Sequence, residues 1–325
     1  MNVLFCSAGR RGELVRDFKR SMEPGGRVVA TDSSPYAPAI YLADARYIVP
    51  RIDDPCYLDR ILEICRIEAI DAVTTFIDPE IEVLARNRAR FEEMDVQVLA
   101  PYEGTAHLCF DKFEMYRHLV ANGISTVLTF GDLASFEEAQ AKGEIDFPVF
   151  VKPRTGSGSV GARRVGTMAE LEAAWAADPT LIAQELMEAG DVDTDVYVDT
   201  VSHKLVSAFT KRKISTTIGG ANKTVSFKDE RFFEAIRRAV GVLELNGPAD
   251  MDFFCRDGEY LLSEVNPRFG GAYLHAYGAG VDFVKMIENN VHGVANEPVF
   301  GDYEDGIVMM MFDSVVIKGP GELAE

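Results

Sequence analysis

Short apolar runs and amphipathic stretches alternate along the first hundred residues. VLFCS at 3–7 is followed by Leu14, Val15, Phe18 and Met22 at helical spacing, and then by VVAT at 28–31. This predicts a strand, a helix and a second strand. The pattern continues with YIV at 47–49, a helical face of Tyr57, Ile61, Leu62 and Cys65, DAVTTF at 71–76, a helix near 79–92, and VQVLA at 96–100. Strands separated by helices predict a parallel sheet with helical covers. Ligands of such sheets sit beyond the carboxyl ends of the strands, so Ser7 to Arg11, Asp32 and Asp78 are candidate binding positions.

The pattern changes near residue 103. DKFEMYRHLVANGI predicts a helix ending at Gly123, STVLTF a short strand, and FPVFVKPRTGSGSVGARRV a strand entering and leaving a loop of small residues. Farther on, DVYVDTVS and KLVSAFTK read as paired strands, a long helix follows near 229–244, and DMDFFCR and YLLSEVN form a hairpin turning at Asp257 and Gly258. The 325 residues, 47% hydrophobic, suffice for two or three cores. The change of pattern divides them into 1–104, 105–184 and 185–325.

Charge narrows the partners. A net charge of −19 opposes nonspecific nucleic-acid binding, which needs a basic surface. Five scattered cysteines without C-x-x-C spacing, no run long enough to cross a bilayer, and an N-terminus whose apolar residues precede its basic ones fit a reduced, cytoplasmic chain. Against the acidic background, Lys211, Arg212 and Lys213, with Lys223 nearby, form a basic group that either faces an anionic ligand or lines a solvated strand edge.

Several segments carry candidate chemistry. In the first turn, SAGRRGEL, Gly9 and Gly12 fall short of the three glycines of a dinucleotide-binding fingerprint. The turn then either offers Arg10 or Arg11 to a substrate pocket or is structural, and Asp78, before Pro79, has the same alternatives, as ligand or helix cap. Gly156, Ser157, Gly158, Ser159 and Gly161 could fold over phosphates or make a tight hairpin, and the loop lacks the G-K-[ST] ending of a P-loop. Lys112 and Lys152 flank that loop. Lys152, ending an apolar strand, would need an anionic partner if buried. In AQELMEAGDVDTD, backbone groups from Glu185 to Met187 could read a purine edge, with Glu185 or Asp193 accepting from ribose hydroxyls. Glu264 and Asn266 share a strand face, and the hairpin brings Asp252 alongside; three oxygen donors suit Mg²⁺. Arg268 follows, within reach of a transferring phosphoryl group.

DK at 111–112, FVKPRTGSGSVG at 150–161, QE at 184–185, DMDF at 251–254 and EVNPR at 264–268 occur in an order and spacing that resembles the ATP-grasp superfamily, closest to carbamoyl-phosphate-synthase large-subunit-like members and single-module carboxylate-amine ligases. The resemblance implies an ATP-grasp fold, α/β with α+β nucleotide-binding halves, behind a Rossmann-like parallel-sheet domain. Its implied roles are phosphate contacts from Lys112, Lys152 and the loop Ser157, Gly158 and Ser159; an adenine site at Gln184, Glu185, Leu186 and Met187; and a ribose contact from Asp193. Asp252, Glu264 and Asn266 become ligands of one or two Mg²⁺ ions, with Mn²⁺ as the alternative. Arg268, Arg212 and Lys223 take catalytic roles. Asp252 departs from the glutamate or glutamine of many relatives, and one module lacks the duplicated halves of carbamoyl phosphate synthases. The implied function is ATP-dependent activation of a small carboxylate as an acyl phosphate for an amine, with no nucleic-acid or membrane partner and a homodimer left open. The alternatives are an ATP-binding regulatory or assembly protein without ligase turnover, or carbamoyl-phosphate-type synthesis as a subunit.

Overall fold

The computed structural model describes residues 1–156, 160–188, 190–217 and 220–324, which form three sheets. The first contains β1 (Asn2–Cys6), β2 (Arg27–Asp32), β3 (Ala45–Ile48), β4 (Ala72–Thr75) and β5 (Gln97–Val98), all parallel, in the order β3-β2-β1-β4-β5. Alternation along β1 splits its side chains between two cores. Leu4 and Cys6 join Ile61, Leu62 and Phe91 under the helices on one face. Val3 and Phe5 join Val15 and Phe18 on the other, in a core continuous with the rest of the molecule. Strand order reverses between β1 and β4, so the turns leaving them open onto one crevice. Those turns carry Arg11 and Asp78.

A four-stranded sheet follows, ordered β6-β9-β7-β8, from β6 (Thr129–Phe130), β7 (Val149–Pro153), β8 (Arg163–Val165) and β9 (Leu181–Glu185). It has its own core around Phe136, Val149, Val151 and Leu171. The seven-stranded sheet runs β14-β13-β10-β11-β12-β16, from β10 (Asp191–Val198), β11 (Leu205–Thr217), β12 (Gly220–Ser226), β13 (Gly247–Arg256), β14 (Glu259–Asn266) and β16 (Val308–Met310), while β15 (Val299–Phe300) pairs with β11. Asp257 and Gly258 both take positive φ, 52° and 82°, the two-residue turn geometry that Asp-Gly favours between twisted strands. The α/β architecture with a leading parallel sheet is the one the sequence predicts. β12 and the short strands near the C-terminus were not predicted.

One packed seam joins the first sheet to the third. Phe18, on the helix Gly12–Ser21, stacks edge-on against Phe269 at 5.6 Å between ring centres, and Phe269 meets Tyr273 at 4.8 Å. The residues after β14 are thereby held against the turn after β1. No helix among the described residues is long and apolar enough to cross a membrane.

Candidate active site

One face of the seven-stranded sheet is charged, and strand register explains how. Aspartates recur every second residue in DVDTD and DMD, so Asp191, Asp193 and Asp195 share a face on β10, as do Asp250 and Asp252 on β13. Pairing sets Lys211, Asp193, Asp252 and Glu264 side by side across four strands; in the next row Asp195, Asp250 and Asn266 stand together. Lys211, 0% exposed, bridges Asp193 at 2.5 Å and also holds Asp195. Lys213 reaches Asp191 at 2.9 Å and pairs with Asp252. Burial pushes the carboxyls of Asp193, Asp195 and Asp250 up, with the lysines opposing it. Burial also works against the charged form of Lys211, yet the three aspartates outweigh it and hold its pKa above the usual lysine range.

A narrow cleft beside this face is lined by Asp78, Lys112, Gly156, Glu264 and Asn266. Asp111 caps the helix Lys112–Ala121 by accepting from the Phe113 and Glu114 amides, and it pairs with Arg154 at 2.6 Å. Lys112 is thus fixed at the cleft, donating to the Gly156 carbonyl, with Nζ 4.0 Å from Glu264. Lys152 lies on the face of β7 opposite Val149 and Val151 and is only 9% exposed. Burial lowers its pKa, Lys112 adds to the effect, and Glu264 and Asp252 counter it. No carboxylate lies within 4.0 Å of its ammonium among the described residues.

Arg268 takes three contacts that aim it at the cleft. Nε donates to Asp78 at 2.9 Å, Nη2 to the Asn266 side chain at 3.2 Å and Nη1 to the Phe269 carbonyl at 3.2 Å. Asp78, at the first turn of the helix Asp78–Arg86, makes no cap and serves as the partner of Arg268 instead. Asp32 is likewise structural: its carboxylate accepts from the amides of Gly9 and Ser34, both at 2.9 Å, and so shapes the first turn.

Three of the predicted residues are placed apart from the cleft or already paired. Arg212 alternates with Lys211 and Lys213, so it lies on the opposite face of β11, exposed and 4.1 Å from the Phe227 ring centre, away from the carboxylates. Lys223, paired with Ser215 between two register shifts of β11 against β12, is exposed. Asp193 is 2% exposed with Lys211 on its carboxylate, whereas Asp191, one alternation outward, is half-buried and paired with Lys213. Ser157, Gly158 and Ser159 lie outside the described residues. Gln184 spends its side chain on Thr129 at 2.9 Å, the Glu185 amide on Leu128 at 2.9 Å and the Glu185 carboxylate on Arg256, which leaves the backbone at Leu186 and Met187 for a base.

The three residues predicted to hold a metal are two carboxylates and an amide. Asp252 and Glu264 face each other in register, Asn266 follows on the same face, and hard oxygens completed by water and phosphate are what Mg²⁺ takes. Among the described residues no group of three His, Cys, Asp or Glu side chains is arranged to hold a metal. The set therefore fits as a partial shell.

Residues 109–272, just over half of the chain, match the model of the ATP-grasp domain. The chain belongs to the ATP-grasp family. Residues 3–99 match the PylC-like N-terminal domain. Among similar proteins, the formate-dependent phosphoribosylglycinamide formyltransferase of Synechococcus sp. (strain CC9605) is 27% identical over 285 residues, 82% of this chain and 69% of that protein. Its counterpart from Chlorobaculum tepidum is 32% identical over 174 residues, 50% of this chain and 40% of that protein. The ATP-grasp chain thus spans only part of these relatives. In fold it is similar to the ADP complex of N5-carboxyaminoimidazole synthetase from Staphylococcus aureus, with a TM-score of 0.71, 15% identity, and 91% of this chain and 78% of that one covered. A biotin carboxylase domain from Hydrogenobacter thermophilus with bound MgADP gives 0.75 and 20%, covering 94% of this chain and 73% of that one. The ATP-grasp reading of the sequence stands on this membership.

Proposed function

We propose that the protein is an ATP-dependent carboxylate–amine ligase whose γ-phosphate is received between Lys112, Lys152 and Arg268. The observation that carries this reading is Lys152: a buried ammonium with no ion-pair partner is costly unless an anionic ligand supplies one, and it lies electrostatically beside Lys112, Glu264 and Asp252. The adenine would lie against the backbone of Leu186 and Met187, with Asp191 at the ribose. Asp252, Glu264 and Asn266 would hold Mg²⁺, which neutralises phosphate charge when bound.

A carboxylate oxygen of the substrate attacks the γ-phosphorus, the bond to the β-phosphate oxygen breaks, and ADP leaves. Phosphoryl transfer asks for alignment and charge neutralisation, which the two lysines and Arg268 provide, and no nucleophilic side chain is required. An amine nitrogen then attacks the acyl carbon. Phosphate departs, the nitrogen loses a proton, and an amide remains. Arg268 opposes the charge that gathers on the carbonyl oxygen during that attack. The formyltransferase relatives are named for formate, a small carboxylate, and for a glycinamide; the same two substrate classes are assigned here, without those molecules. The five cysteines are free, which suits a cytoplasmic setting.

Incubation with MgATP, a panel of carboxylates and amines should release ADP and phosphate, with Glu264→Ala lowering the rate at least 100-fold while the unfolding midpoint stays put. AMP and pyrophosphate as products would overturn the acyl-phosphate route.

A further inference from the structure

Asp252 stands between two other acids. Strand pairing sets Asp193 directly opposite it on β10 and Glu264 directly opposite it on β14. Like charges in such positions destabilise a sheet, so the carboxylate needs a cation on each side. On the β10 side one is already present. Strands lie about 4.8 Å apart, and the Lys213 ammonium crosses from β11 over β10 to meet Asp252 Oδ1 on β13, with Asp191 of β10 at 2.9 Å. A register shift follows directly after Lys213, against β12, and another directly after Asp252, against β14; such irregularities re-aim the side chains beside them. Lys211 cannot take this place, because it is spent on Asp193 and Asp195. On the β14 side the seat is open. The Lys112 ammonium stays 4.0 Å from Glu264 and donates to the Gly156 carbonyl, and among the described residues nothing donates to Asp252 Oδ2.

We propose that Lys213 stands in for one of two divalent ions, so that the chain binds a single Mg²⁺, seated among Asp252 Oδ2, Glu264 and Asn266. The inference rests on the ligase reading for the presence of Mg²⁺ and adds how many ions there are. Paired ions of phosphoryl-transfer sites lie about 3.5–4 Å apart, so a second one would have to share Asp252 from its β10 side, where the ammonium is. The ammonium holds that position by attachment. Its side chain is 13% exposed, and moving it away would strip Asp191 and Asp252 of their cation together and leave Asp252 between two bare acids. Mg²⁺ sheds its waters reluctantly, which disfavours it further against a tethered cation. The donors agree with a single ion. Two carboxylates and an amide make a partial shell that water and phosphate complete, and no third acid joins them among the described residues.

The test is electron paramagnetic resonance of Mn²⁺ on the full chain with the β,γ-imido analogue of ATP. The unaltered protein should retain one Mn²⁺ per chain, with a spectrum free of coupling to a second ion. Lys213→Met should retain two, and ions about 4 Å apart should couple magnetically. Lys213→Arg keeps the charge and should stay at one. Should Lys213→Met fail to fold, Lys213→Gln, which loses the charge and keeps a polar end, is counted in its place. The inference is overturned if the unaltered chain retains two ions, or if a folded chain with a neutral residue at 213 still retains only one. The count on unaltered protein needs no variant. It also separates the two readings: two ions overturn this inference and leave the ligase reading standing, whereas no ion retained with the analogue bound overturns both.

Discussion

The five-stranded and the seven-stranded sheets solve the same packing problem with opposite chemistry on their buried faces. In the parallel sheet both faces are apolar, and Glu80, fully buried beside the strands, pairs with no cation among the described residues. Its Oε2 accepts from Thr75, its Oε1 has no partner, and burial pushes its pKa up to about 8. In the antiparallel sheet one face is apolar and the other holds five aspartates, a glutamate and two lysines. A scaffold sheet tolerates an isolated acid by keeping it protonated. The seven-stranded sheet instead sets cations among its acids, so that the burial which pushes Asp193, Asp195 and Asp250 up is opposed by Lys211.

The sharpest way to break this contrast is Lys211→Met. Asp193 and Asp195 would lose the cation between them, and removing one partner from a buried charge network costs about 3–5 kcal/mol. Urea unfolding should show that loss at neutral pH; a loss below 1 kcal/mol would mean the aspartates are not ionised together. The parallel sheet should respond to pH in the opposite way. Glu80 keeps in the folded state a proton that the unfolded chain releases above pH 4.5, so its contribution is complete below that value and declines as pH rises toward about 8. The decline amounts to roughly 1.4 kcal/mol per pH unit in that window. Glu80→Gln should flatten it, and an unchanged slope in unfolding measurements across pH 5–8 would remove Glu80 as its source. Smallest is Arg212→Ala. On the outer face, stacked on Phe227, it should cost under about 1 kcal/mol and leave turnover within twofold, whereas a tenfold loss of turnover would put it back at the site.

Which of these features the sequence disclosed follows from how local each one is. The parallel strands, the helix Lys112–Ala121 and the Asp257–Gly258 hairpin were legible because apolar spacing, the Asp111 cap and turn chemistry act within a few residues. β12 was not, since GANKTVS is polar and its pairing with β11 shifts register twice. Which of Lys211, Arg212 and Lys213 turn inward was within reach of the sequence, since their register against β10 is regular. Counting in twos from DVDTD against KRK would have grouped the first and third lysines with the aspartates. The approach of Arg11 to Gly271, and of Asp78 to Arg268, could not be read in this way, because it depends on strand order and on the Phe18–Phe269 seam.

The pairing of Asp78 with Arg268 also has a temporal side. The two residues are 190 positions apart in sequence. During synthesis, strands β1 to β5 are complete once residue 98 has emerged, so the leading sheet can fold while Arg268 is still unmade. At roughly 5–20 residues per second, about 10–40 s separate the carboxylate from its arginine. The nascent protein thus has all five strands of its leading sheet well before it has the arginine proposed to handle a phosphoryl transfer, while Val3 and Phe5 still wait for the later part of their core.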